Sequence, residues 1–324
     1  MRLRTWLTLL LALVAAALAG LALGPVSISP GAVWSALFGA GDANTVAIVR
    51  TLRLPRIALG VVIGAGLGMS GAALQATLRN PLAEPYLLGV SGGAAVGAVV
   101  AVTLHFTSLA VLPIAAFGGA ALAVTLVLLV ARAAGARGDP RVLLMAGVVV
   151  GAFANAAVMV LLAGAPAEAV RGALWWMMGS LSDASWQGTR WVAAYVAAGG
   201  LLLFALGREI ELLALGEDPA AALGLDVERA TRRVYLAASL LAAVTVAGAG
   251  LVGFVGLVVP AIVRGLGARS ARSVMLGAAI AGGALVVAAD VAARTIRAPA
   301  ELPLGAVTAL IGVPFFLARL RRMT

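Results

Sequence analysis

The chain has 324 residues, 63% hydrophobic and 11% charged, with a mean hydropathy of +1.09. So little polar surface cannot clothe a water-soluble globule, which makes this a polytopic membrane protein. Cysteine is absent and all 23 basic residues are arginine, which excludes a disulfide framework, a cysteine nucleophile and a Walker-type phosphate loop, whose lysine is missing. The net charge of +10 reads as a record of membrane topology rather than of nucleic-acid binding.

Arg2 and Arg4 precede an apolar run to Leu23 that exceeds the ~7–15-residue core of a secretory signal, so it is read as a retained first membrane helix. A loop with Pro25 and Pro30 follows, with a short helix expected at 31–39. The second span, about 57–78, carries Gly60, Gly64 and Gly68, a spacing of four that lets another helix approach closely. After the polar knot Arg79-Asn80-Pro81 a third span runs over 85–104, and the lone His105 at its end is given no role. A fourth span (109–130), an arginine-bearing loop and a fifth span (142–162) lead to 169–181. That segment is too short for a bilayer that needs ~20 residues. It is expected at the surface, with Trp175 and Trp176 at the interface. The sixth span is about 191–206.

The stretch 208–233, REIELLALGEDPAAALGLDVERATRR, is the one long polar insertion and holds six of the 13 acidic residues. Membrane segments flank it, so it must face water. Leu212, Leu213 and Leu215 precede Gly216, and Ala220, Ala221, Leu223 and Leu225 follow Pro219. That pattern predicts two short helices around a turn, the first stopped by Gly216, the second opened by Asp218 as N-cap and Pro219 as first helical residue. On pattern alone the pair is either a docking surface or a solvated connector.

From Val234 a seventh span runs to about 248, and Gly250, Gly253 and Gly256 then break the pattern ahead of a short eighth span holding Pro260 and ending near Arg264. A ninth span (274–293) and a tenth (304–317) precede the basic tail Arg319, Arg321 and Arg322. Ten spans put both termini on one side. That side also collects Arg79, Arg132, Arg137, Arg141 and the arginines of 208–233 and 264–272, more than twice as many as the other, so it is expected to be cytoplasmic. No constellation for catalysis is present. Glu84 and Asp290 are the candidate acids at membrane depth, and Arg294, one turn beyond Asp290, favours a structural ion pair over a proton relay.

Four motifs in the first half carry a resemblance: Arg53-Leu54-Pro55-Arg56, Ser70-Gly71-Ala72-Ala73-Leu74-Gln75, Arg79-Asn80-Pro81-Leu82-Ala83-Glu84-Pro85 and Leu88-Gly89-Val90-Ser91-Gly92-Gly93-Ala94. The second half adds Trp176-Met177-Met178-Gly179-Ser180-Leu181, Gly253-Phe254-Val255-Gly256-Leu257-Val258-Val259-Pro260, Ala289-Asp290 with Arg294, and Glu301-Leu302-Pro303-Leu304-Gly305. Together they cover nearly the whole chain, which resembles the permease subunits of ABC importers for iron chelates and cobalamin. Ala261 departs from the pattern, because the family commonly has histidine after the proline.

The resemblance implies a single all-α transmembrane permease domain over 1–324 in the bacterial cytoplasmic membrane, with about ten transmembrane helices and a cytoplasmic coupling-helix pair. It implies a homodimer that works with two ATP-binding subunits and an extracytoplasmic substrate-binding protein. ATP and magnesium belong to those partners, and this chain holds no cofactor, metal or catalytic site of its own. Leu213, Gly216, Glu217, Asp218, Ala221, Leu223, Gly224 and Leu225 resemble the segment that docks on the ATPase. Arg53, Arg56 and Arg294 resemble arginines that bind acidic residues of the binding protein, for which guanidinium is suited. The cargo expected is a ferric siderophore, with cobalamin and haem as alternatives. An ion-coupled secondary transporter is the reading from another class. It calls for paired interrupted helices and buried acids, of which the sequence offers little.

Overall fold

The computed structural model describes residues 2–106, 111–135 and 139–320, and the regular structure among them is entirely helical. Helix α1 (Leu3–Ala22) is followed by α2 (Pro30–Leu37) and α3 (Ala43–Ala47), which runs through a π-helical turn (Ile48–Arg53) into α4 (Leu54–Thr77). A 3₁₀ turn (Pro85–Leu88) leads into α5 (Val90–Thr103), then come α6 (Val111–Ala133), α7 (Pro140–Ala163), the short α8 (Ala167–Met177) and α9 (Trp186–Ala205). The chain continues with α10 (Gly207–Leu215), α11 (Glu217–Ala222), α12 (Val227–Ala249), α13 (Val255–Gly265), α14 (Ala271–Thr295) and α15 (Leu304–Leu320).

Among the described residues, seven helices are long and apolar enough to cross a bilayer: α1, the rod from α3 through α4, α6, α7, α9, α12 and α14. The shorter apolar α5, α13 and α15 fall on the three remaining segments expected from the sequence. Starts are written locally. Asp42, Asp139, Ser185, Asp226 and Ser270 each accept a hydrogen bond from a first-turn N–H of α3, α7, α9, α12 and α14.

Glycine decides how the bundle closes. A Cβ on Gly64 would lie 2.1 Å from the carbonyl oxygen of Gly282, and one on Gly68 2.2 Å from that of Ala278. The small-residue face expected on Gly60, Gly64 and Gly68 is therefore the face that α14 occupies, backbone against backbone. Gly71 meets the Gly256 carbonyl in the same way, a would-be Cβ falling 2.0 Å away, which brings α13 onto α4. Around this spine Ile63, Leu67, Leu74, Tyr235, Leu241 and Met275 are completely buried.

Several boundaries differ from the sequence reading. The second span starts well before residue 57, because the first turn of α4 continues an existing helix instead of opening a new one. The third is interrupted at Gly89, whose φ of +80° breaks the 3₁₀ turn from α5. Helix α12 already begins at Val227, so the end of the polar stretch forms its first turns. Arg137, Arg321 and Arg322, which entered the charge count, lie outside the described residues.

Candidate functional site

Helices α10 and α11 form the expected pair, with a change of cap. Gly216 ends α10 and also caps α11, at φ +117° and ψ 165°, a conformation that favours glycine. Asp218 therefore lies inside the first turn of α11 beside Glu217 rather than capping it, and both carboxylates complement the positive end of that turn. The expected contact residues divide in two. Leu213 and Gly216 are buried and Leu225 is half-buried, so they seat the pair on the bundle, whereas Glu217, Asp218, Ala221, Leu223 and Gly224 are exposed.

The pair is stitched down at several points. Glu211 accepts the backbone N–H of Ala271 at the start of α14 at 2.9 Å, Arg233 reaches Glu209 at 3.4 Å, and Arg79 reaches Glu217 at 3.5 Å. Arg272 donates to the Phe204 carbonyl at 3.3 Å and lies over its ring. Movement at Gly216 is therefore shared with α4, α12 and α14.

The turn Arg79-Asn80-Pro81 closes α4. Arg79 has φ +47°, and the Asn80 side-chain oxygen accepts from the Leu82 N–H at 2.9 Å. The following residues grip the break between α12 and α13. Glu84 accepts the Phe254 N–H at 2.6 Å, and Tyr86 Oη accepts the Val252 N–H at 3.0 Å. Pro85 packs against Gly256, where a Cβ would lie 3.0 Å from the proline ring, and Gly253 keeps the space beside Glu84 open. Pro260 sits inside α13. Having no N–H, it leaves the Gly256 carbonyl four residues earlier without its helical donor. Gln75 of α4 supplies one, its Nε2 donating to Gly256 at 3.0 Å and to Leu257 at 3.2 Å, while Arg264 donates to its Oε1. Ala261 is buried in the same helix.

On the opposite face, charges converge at the ends of α1, α4 and α14. Arg56 holds Asp290 through Nε and Nη2 at 2.9 and 2.8 Å and Glu301 through Nη1 and Nη2 at 2.8 Å each. Arg294 pairs with Asp290 at 3.3 Å and donates to the Gly20 carbonyl at 2.5 Å. Arg53 donates to the carbonyls of Leu21 and Val26. Two guanidinium groups thus complete the carbonyl end of α1, where positive charge is favoured. Gly20 and Gly24 leave them room. The Glu301 carboxyl, outside the spans, is held below its ordinary range chiefly by its hydrogen bonds to Arg56.

The three arginines expected to meet a binding protein are engaged within this chain. Arg53 and Arg294 are buried, the Arg56 side chain is only 13% exposed, and all three are committed to partners within the chain. Arg50, Arg190 and Arg297 are the exposed arginines around them. Pro303 and Gly305 open α15, whose Leu304 and Gly305 N–H groups donate to Gly179 and Met178 at 3.1 and 3.0 Å. A Cβ on Gly305 would lie 2.4 Å from the Leu251 carbonyl. Among the described residues no group of three or more His, Cys, Asp or Glu is placed to hold a metal ion.

Residues 9–322 match the FecCD transport family. The chain belongs to that family. A cobalamin import system permease protein of Halobacterium salinarum is 41% identical over 91% of this chain and 81% of its own length. A hemin transport system permease protein of Yersinia pestis is 36% identical over 95% and 92%. Among solved structures, a metal-chelate type ABC transporter in an inward-facing conformation superposes with a TM-score of 0.86 at 28% identity, covering 98% of both chains. The FecCD fold is thus present throughout, and the chain is a membrane transport component. Sequence reasoning missed the role of Gln75, of Tyr86 and of the long-range Arg56–Asp290 pair. For Gln75, the one legible signal was an amide placed in a glycine-rich span ahead of a proline-bearing one.

Proposed function

We propose that the chain is the permease subunit of an ATP-driven, binding-protein-dependent importer of a metal chelate. The observation that carries this reading is the α10–Gly216–α11 pair, a compact unit that presents Glu217, Asp218, Ala221, Leu223 and Gly224 to water while Leu213 and Ile210 are buried beneath it. A rigid pair tied to three spans can transmit closure of a partner ATPase as a body movement. In this reading the pair and both termini are cytoplasmic, two copies of the chain assemble, and two ATPase subunits dock on them. The binding protein docks at the far face on exposed Arg50, Arg190 and Arg297, while Arg53, Arg56 and Arg294 hold that surface together. The cargo is a ferric siderophore. The similarity to cobalamin and hemin permeases supports the chelate class and makes those two the alternatives.

Native mass spectrometry of the complex, followed by uptake in proteoliposomes, tests this. Two copies of the chain with two of an ATPase are expected, and Ala221→Glu with Leu223→Asp should release the ATPase while leaving the permease folded. Uptake of a ferric siderophore should exceed uptake of cobalamin or haem and should require ATP. Uptake by the chain alone, driven by a proton gradient, would overturn the reading.

A further inference from the structure

Helices α4 and α12 pack through a seam that is apolar except for a few hydroxyls. A Cβ on Gly66 would meet the Thr245 methyl at 2.6 Å, and Ser70 Oγ donates to the Ala238 carbonyl at 2.7 Å, so the two helices run antiparallel. Thr245 Oγ1 in turn donates to the Ala242 carbonyl at 2.6 Å. The hydroxyls of Ser70 and Thr245 are thus satisfied, as buried polar groups are expected to be. Those of Tyr235 and Ser239, also on α12, are not. Both side chains are fully buried, Tyr235 in the cluster that includes Leu74 and Leu241, and neither Tyr235 Oη nor Ser239 Oγ has a hydrogen-bond partner among the described residues. Thr77, two turns beyond Ser70 on the same face of α4, carries a third such hydroxyl.

Tyr235 and Ser239 are four residues apart and share one face of α12, with the serine hydroxyl beside the phenol. Ser239 leaves unused the Tyr235 carbonyl one turn earlier, the acceptor that a helical serine ordinarily takes. A buried hydroxyl without a partner is costly, and two side by side call for a shared third group. That group must be small, because neither side chain has exposed surface. It must be neutral, because the buried charged side chains among the described residues, Arg53, Asp290 and Arg294, are all engaged in the cluster at the ends of α1, α4 and α14. It must also donate and accept, since each hydroxyl can do either. Water meets all three conditions and commonly serves such groups. We propose that an internal water bridges Tyr235 Oη and Ser239 Oγ in the seam between α4 and α12. Water changes partners as hydroxyls turn, so α12, which follows the α10–α11 pair directly, can shift against α4 without baring a polar atom. Nothing in this site depends on the cargo or the direction of transport.

Hydroxyl-radical footprinting of the full chain in nanodiscs, read by peptide mass spectrometry, tests for this water. An X-ray pulse makes radicals wherever water is, so a side chain with no exposed surface is modified only where water lies against it. Tyr235 should therefore be hydroxylated, while Met275, a buried member of the same cluster whose thioether oxidises readily, should stay unmodified. Ser239→Ala removes one anchor of the water and should lower the yield at Tyr235 several-fold. Melting of the variants gives a second reading. Tyr235→Phe and Ser239→Ala should each lower the melting temperature, because each strips the water of a partner, whereas removing a hydroxyl that binds nothing would leave the temperature unchanged or raise it. That last result would overturn the proposal. Lowered melting with no label at Tyr235 would assign a direct bond between the two side chains and overturn the water. Equal labelling of Tyr235 and Met275 would show opening of the whole core and overturn it as well.

Discussion

Replacing Gln75 with leucine removes the donor that the Gly256 carbonyl lacks because of Pro260. A buried acceptor left without a partner costs about 1–3 kcal/mol. In a segment with no water nearby, the upper part of that range applies. The contact from Arg264 to Gln75 is lost as well, so Gln75→Leu is expected to destabilise the protein by about 3 kcal/mol. Pro260→Ala supplies the missing backbone N–H, and in that background Gln75→Leu should cost only ~1 kcal/mol, a coupling of about 2 kcal/mol. Steric-trap unfolding of all four proteins in bicelles measures the cycle. Equal cost in both backgrounds would show that Gln75 does not serve the carbonyl freed by the proline, and the account of α13 would fail.

Arg56→Gln leaves Asp290 buried with Arg294 alone, and loss of one partner from such a cluster costs about 3–5 kcal/mol; the same unfolding assay should show a smaller cost for Arg56→Gln combined with Asp290→Asn. Glu301 has a depressed carboxyl pKa, so its contribution is present above its unfolded value of ~4.3 and disappears as pH falls through the lower folded value. Glu301→Gln should therefore flatten the acid limb of a melting-temperature profile, and an unchanged limb would remove Glu301 from the cluster's energetics. Gly64→Ala places a methyl against the Gly282 backbone and should prevent assembly of a stable fold, whereas Gly118→Ala, with no atom within 4 Å, should leave expression and melting unchanged.

The spans were legible because a 3.6-residue repeat and bilayer length act on each helix independently. The helix pair around Gly216 was legible for a similar reason, since a glycine stop and a proline are local signals. Its cap was misplaced by two residues because Gly216 can end one helix and start the next, a choice set by its backbone angles and not by its neighbours. The charge cluster was half visible. Asp290 and Arg294 are one turn apart on α14, but the stronger partner, Arg56, is separated from Asp290 by 234 residues, and no spacing rule spans that distance. For the same reason, arginines that looked available for a partner protein turned out to be taken up by the chain's own carbonyl and carboxylate oxygens.

The two kinds of acceptor around those arginines imply an order of disassembly. Arg53 and Arg294 grip backbone carbonyls at the end of α1, and neither a carbonyl nor a guanidinium gains or loses a proton in any solution where the protein folds. Arg56 grips the carboxylate of Glu301, which acid neutralises. In progressively acidic solution the segment between α14 and α15 should therefore come free while α1 stays moored, so the two sides of one cluster answer to different environments.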